Sequence, residues 1–230
     1  MIVRLPRSRA DGPSPLLAYL QHQQPRWTTA VDALAAQYAE RRGQIAARVD
    51  GYGTVYAGRR AAMVFDVVAS RQRNYLKRVR PLVQVFSTRP AAESLAALAD
   101  HGPGLGLSLM PTEATTVEAV AAGLRRFCVE HQWDDDAGVV AWAAETEAVR
   151  LAPRLDPYVG AVSGVGPAMF AYLRMRSGAD ALKPDLRVRR QLQQAGLVVP
   201  ADPVSMLLLA EAVAEQLGLT RLAALDQLLW

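Results

Sequence analysis

The residues of this chain whose types and spacing could do chemistry are concentrated between Tyr158 and Leu192, in the run YVGAVSGVGPAMFAYLRMRSGADALKPDLRVRRQL. Ser163-Gly164-Val165-Gly166 leads into an apolar segment beginning at Pro167. Glycines at 164 and 166 permit torsions and close backbone approaches that side chains would block, and a helix that follows them presents unpaired N–H groups at its positive end. Such a turn can hold a phosphate without any basic side chain. It also occurs between helices that bind nothing. Nineteen residues after Gly166, Asp185 stands at a loop-to-helix junction, preceded by Pro184 and followed by Arg187, Arg189 and Arg190. An Asp there caps the helix, the arginines either solvate its face or meet phosphates, and Lys183 adds a cation two residues away.

Other chemistries find little support. A single cysteine, Cys128, precludes an internal disulfide and offers no cysteine set for an iron–sulfur cluster or a Cys-rich zinc site. The three histidines, His22, His101 and His131, are widely spaced and lack the i,i+4 pattern of a helical metal site. The Gly-rich run HGPGLGLSLM at 101–110 has no Lys-Ser/Thr and follows no strand pattern, so it does not read as a phosphate loop.

Charge is uneven. The net value is only +4, but between Val55 and Pro90 eight basic residues (Arg59, Arg60, Arg71, Arg73, Lys77, Arg78, Arg80 and Arg89) face the lone acid Asp66. From Pro111 to Gly160 the balance reverses, with the run Asp134 to Asp136 reading as solvated surface. A basic face and an acidic face are expected, which suits a nucleic-acid partner. No stretch approaches the roughly 20 apolar residues needed to span a bilayer, and MIVRLPRSRADGPSP has no hydrophobic signal core. The expectation is a cytoplasmic monomer with no membrane association.

These residues must be positioned by helices. Abundant Ala and Leu, short β-branched runs and apolar recurrence at three- and four-residue intervals predict an all-α chain. Helices are expected at Thr28–Val49, Ala61–Asn74, Tyr75–Phe86, Ala91–Asp100, Thr116–His131, Asp135–Val149, Asp156–Val162, Pro167–Ser177, Pro184–Ala195, Pro203–Leu217 and at the end, to Trp230. Pro184 and Pro203 read as first-turn prolines, Asp202 as an N-cap, and Gly178, Gly196 and Gly218 as C-terminal stops.

The Gly-Val-Gly turn, the apolar helix after it and the Asp before a Val-x-Arg run together resemble the helix-hairpin-helix DNA glycosylase superfamily. Val67-Val68-Ala69-Ser70-Arg71-Gln72 is similar to that family's apolar helix ending in Ser-Gln-Gln, with Arg71 in place of the first Gln, and Leu225 to Trp230 is similar to its closing helix. The likeness covers about residues 55–230. It implies a two-lobed helical fold: residues 55–180 form a barrel lobe that contains the hairpin, and 1–54 with 181–230 form the second lobe. Asp185 is then the catalytic carboxylate at the mouth of the cleft between them.

The same resemblance implies a DNA-binding set of Gly164, Val165, Gly166, Ala168, Ser70, Gln72, Arg73, Asn74, Lys183 and Arg187. Gln72, Arg73 and Asn74 supply the wedge or the contacts to the orphaned base, and Trp27, Trp133 or Tyr172 supply pocket walls. Pro167 to Phe170 stand where bifunctional members carry a Schiff-base Lys, so the implied activity is a monofunctional N-glycosylase of base excision repair acting on double-stranded DNA with a damaged base. The missing Lys and cluster cysteines favour alkylated purines as substrates, with oxidised or mismatched bases next. No cofactor is implied beyond a structural monovalent cation at the hairpin. The alternatives are a glycosylase-fold protein that binds distorted DNA without cleaving it, and a helical interaction module, favoured if the basic residues of 59–89 and 183–190 do not share a face.

Overall fold

A computed structural model describes residues 13–104 and 106–230. Residues 1–12, assigned above to the second lobe, lie outside that range. Among the described residues the chain is all-helical: α1 (Pro15–Gln23), α2 (Trp27–Gly51), α3 (Arg60–Ala69), α4 (Arg80–Phe86), α5 (Leu95–His101), α6 (Pro111–Glu130), α7 (Asp135–Glu145), α8 (Pro167–Arg176), α9 (Leu186–Ala195), α10 (Pro203–Gln216) and α11 (Leu222–Leu228). Short 3₁₀ segments and one π-helical turn, Tyr75–Val79, join them. No described helix is long and apolar enough to cross a membrane.

Local chemistry starts these helices. The side chains of Ser14, Ser94, Asp134 and Asp202 each accept the backbone N–H three residues on, at 3.2, 3.0, 2.8 and 2.7 Å, and prolines occupy the first turn of α1, α6, α8 and α10. Each cap satisfies an otherwise orphaned donor.

Packing then gathers the helices around two cores. One core holds buried apolar residues between Tyr56 and Ala181, with α3 at its centre. Every residue of α3 is buried: eight of its ten residues are apolar, and its two charges, Arg60 and Asp66, are paired with Asp136 and Arg176. Phe65 of α3 stacks on Phe86 at 4.3 Å between ring centroids, and Trp142 meets Phe170 edge-on at 5.7 Å. Truncating Phe65 to Ala would cost about 3–5 kcal/mol through lost burial and the cavity left behind. The other core joins Leu17 to Val49 with Leu182 to Leu229, as α2 packs on α9 and α11 and α1 on α10. The chain passes from one core to the other between Val49 and Tyr56 and again at Ala181–Leu182. Near these crossings a Cβ on Gly53 would lie 2.7 Å from the Cα of Gly178, so the two backbones touch.

Five local expectations are corrected. The helix expected over Ala61–Asn74 stops at Ala69, where the Ser70 hydroxyl donates to the Asp66 carbonyl at 2.7 Å and Gln72 turns to φ +56°. Residues 156–162 form turns rather than a helix, because the Asp156 carboxylate captures the N–H groups of Val159 and Gly160 at 2.9 and 2.7 Å. Pro184 precedes the cap of α9 rather than opening the helix, and α1 is an additional helix. The acidic run is not simply solvated: Asp134 caps α7, Asp135 accepts the Leu95 N–H at 2.8 Å, and Asp136 binds the Gly58 N–H and the Arg60 guanidinium, both at 2.6 Å.

Candidate functional site

The segment 182–185 is held from both ends. Lys183 precedes Pro184, which disfavours helical backbone at Lys183 and keeps the segment extended. Its N–H donates to Asp226 Oδ1 at 3.0 Å, and Asp226, on α11, is buried. Burial pushes the Asp226 carboxyl up to about 6, opposed by the Lys183 N–H that donates to it. Next in the chain, Asp185 caps α9: its Oδ1 accepts from the N–H groups of Arg187 and Val188 at 2.9 and 3.0 Å. Its Oδ2 lies 3.4 Å from Lys183 Nζ, both side chains being about a quarter exposed. That ammonium in turn sits 4.7 Å from the centre of the Tyr172 ring.

Tyr172 is itself fixed from beneath. Its hydroxyl accepts from Arg176 Nε at 3.2 Å, and Arg176 Nη2 reaches Asp66 Oδ2, also at 3.2 Å, in a buried cluster that Tyr56 completes by donating to Asp66 at 2.8 Å. Desolvation pushes the Asp66 carboxyl up while the Arg176 guanidinium opposes it. Removing either partner would leave an uncompensated buried charge, so the wall that bears Tyr172 is rigid.

Tyr172, Lys183 and Asp185 line a cleft of about 1020 Å³. It is lined by Val67, Arg71, Gln72 and Arg73, by the hairpin residues Gly164 and Gly166 with Ala168, Met169 and Tyr172, and by Lys183 to Arg187, Arg189 and Arg190. Among the described residues its lining carries six basic side chains against the single carboxylate of Asp185. The arginines of 71–73 and of 187–190 thus converge on one opening.

At the hairpin, Gly164 adopts φ +89°, and a Cβ there would meet Thr116 Oγ1 at 2.5 Å, so the position demands glycine. Gly166 caps α8 without a side-chain acceptor, and a Cβ on it would meet nothing within 4 Å. The helix end is therefore open to an approaching anion. Val165 between them is buried in the core. The carbonyls of Gly160, Ala161 and Val162 converge on Arg154 Nη1 at 3.4, 3.1 and 3.3 Å. Among the described residues no cluster of three His, Cys, Asp or Glu side chains could hold a metal.

The remaining sequence-derived residues divide by what already engages them. Gln72 is exposed at the cleft edge in a left-handed conformation that L-residues adopt at a cost of about 1 kcal/mol. Arg73 is committed to both Glu113 oxygens, at 2.8 and 2.6 Å. That pair holds the Glu113 carboxyl below its usual range, against the desolvation that opposes it. Asn74 caps the π-helical turn by accepting the Lys77 N–H at 2.9 Å. Arg187 stacks on the Trp230 ring at 4.3 Å and donates to the Trp230 carbonyl. Of the three aromatic candidates only Tyr172 reaches the cleft: Trp27 is buried in the other core and Trp133 is half exposed outside the cleft. Sequence reasoning missed Val67, Arg71 and Met169 as walls, Arg154 beneath the hairpin and Asp226 behind Lys183. Helical periodicity marks Val67 and Met169 only as core positions, the basic run marks Arg71 as a cation but not as part of this cleft, and no sequence signal ties Arg154 or Asp226 to the site. No family model, curated protein or solved structure matches the chain.

Proposed function

We propose that this protein is a hydrolytic DNA N-glycosylase that releases a damaged or mismatched base from duplex DNA without cutting the strand. The observation that carries the reading is that one cleft collects the Gly164–Gly166 turn, the exposed Gln72 and the carboxylate of Asp185. The hairpin end of α8 receives a phosphate, the cationic rim holds the flanking backbone, and Gln72 enters the space left by an extruded nucleotide. The extruded sugar then lies against Asp185. Breaking the glycosidic bond develops positive charge on the sugar, which a carboxylate at that point stabilises while it orients the attacking water. With Pro167 to Phe170 in the first turn of α8, that turn offers no amine for a covalent step.

The test is release of free base and formation of an intact abasic strand from duplexes carrying uracil, hypoxanthine, 8-oxoguanine or 7-methylguanine. Borohydride trapping should fail. Asp185→Asn keeps the size and the cap acceptor but removes the charge. It should slow release on the order of a hundredfold or more with DNA affinity unchanged, and full activity in that variant would dismiss the reading.

One observation favours a second reading, a binder of distorted DNA that does not cleave: one oxygen of Asp185 is committed to the helix cap and the other is paired with Lys183. Tight binding to mismatched duplex with no release from any of the four substrates would select it.

A further inference from the structure

The placement of Lys183 bears on which class of base the cleft would accept. Its backbone is fixed by the buried Asp226 and by Pro184, and its ammonium lies inside the cleft, 4.7 Å from the Tyr172 ring centre and 3.4 Å from Asp185 Oδ2. Tyr172, the aromatic side chain of the cleft lining, is itself buried, with Arg176 and Lys183 both over its ring, so a base extruded beside Asp185 meets the Lys183 ammonium where that ring borders the cleft. A cation that touches Tyr172 and Asp185 therefore stands where the leaving base must stand. Of the other cations of the lining, Arg73 is bound to Glu113, Arg187 to Trp230 and Arg189 to the Ala201 carbonyl, whereas Arg71 and Arg190 are exposed.

Resting on the glycosylase reading above, we propose that Lys183 contacts the departing base and that it makes the cleft selective for bases that are neutral before cleavage, not for cationic alkylated purines. When the C1′–N bond of a neutral base breaks, its electron pair goes to the base, which leaves as an anion. Water adds hydroxide to C1′, and its proton passes by way of Asp185 to solvent or to the departing base. The ammonium of Lys183 stabilises the negative charge as it forms, so its interaction is stronger in the transition state than in the ground state. A purine nucleotide alkylated at N3 or N7 is already a cation, and its base leaves as a neutral molecule. It is repelled by Lys183 on entry and gains nothing from it during cleavage. The proposal departs from the sequence-based preference for alkylated purines: the absence of a Schiff-base Lys in α8 bears on how the bond is cut, whereas the cation beside Tyr172 bears on which base leaves well.

The experiment compares Lys183→Met with the wild type in single-turnover release from otherwise identical duplexes carrying uracil or hypoxanthine, which are neutral, and 7-methylguanine, which is cationic. The wild type should release at least one neutral base. In the variant, the rate on that base relative to 7-methylguanine should fall by about a hundredfold. Equal slowing on all three substrates, wild-type release confined to 7-methylguanine, a loss of DNA affinity with an unchanged ratio, or efficient borohydride trapping that the variant abolishes would each overturn the proposal. Failure of the underlying reading is distinct: it would appear as wild-type rates in Asp185→Asn or as no release from any duplex, and would remove this inference with it.

Discussion

Gly166 separates the anion-binding reading from a merely structural turn. Gly164 cannot be changed without strain, but Gly166 has extended backbone torsions and open space where a side chain would project. Gly166→Val should leave the helical content intact and lower stability by less than about 1 kcal/mol, the cost of a poorer N-cap, while weakening duplex affinity about tenfold by filling the phosphate position. Circular dichroism and a fluorescence-anisotropy titration measure the two effects, and unaltered binding would mean that nothing docks there. At this scale the sequence was legible wherever a residue's role is local. Gly164, Gly166 and the capping part of Asp185's role follow from their neighbours in the chain, because a turn and a cap each involve only three or four residues. Arg73 shows the opposite case: its basic character is plain, but its partner Glu113 is forty residues away, and nothing in the run Ser70 to Asn74 reveals that this guanidinium is already engaged.

Among the elements, the link between α3 and α4 is the informative one. A continuous helix from Ala61 to Phe86 would bury Gln72 in a regular turn. Instead α3 ends at Ala69, Gln72 is turned out at φ +56°, and the π-helical turn Tyr75–Val79 follows. Left-handed backbone and π-turns are both rare and recur at functional sites. Gln72→Gly should relieve the left-handed strain of about 1 kcal/mol, partly offset by the freedom it gives the unfolded chain, so that stability stays equal or rises slightly. The loss of the side chain should nevertheless reduce opening of a 2-aminopurine mismatch, read as a smaller fluorescence increase on binding. An undiminished signal would remove Gln72 from the wedge role. Periodicity could place helices on either side of this link, since both faces of α3 are apolar. It could not place the break, which depends on Ser70 and Asp66 bonding across the last turn rather than on any Pro or Gly.

For the whole molecule, two measurements follow from how the charges are distributed. If the exposed Arg71 and Arg190 of the cleft meet phosphates, the logarithm of duplex affinity should fall against the logarithm of salt with a slope of about −2. Affinity indifferent to salt would argue against a nucleic-acid partner. The second concerns Asp226, whose folded value of about 6 stands above the ordinary 3.8. The fold favours its neutral form, so this contribution is fully present below about pH 4 and is lost as pH rises through 6, by about 3 kcal/mol. Urea denaturation at pH 4.5, 5.5 and 7 should show the wild type losing stability relative to Asp226→Asn over that window, and parallel profiles would contradict the assignment. The sequence by itself determined that the chain is helical and where most helices begin and end, because capping, proline and apolar periodicity act over a turn or two of chain. It also marked the Gly-Val-Gly turn and Asp185 as the positions to watch. Only the tertiary structure decided that Lys183 lies against Tyr172 and Asp185, that Asp226 holds it from behind, and that Arg154 occupies the carbonyls beneath the hairpin. Each of the first two depends on packing between segments ten to more than forty residues apart, and the third on a turn that Asp156 folds in place of the helix that periodicity suggests.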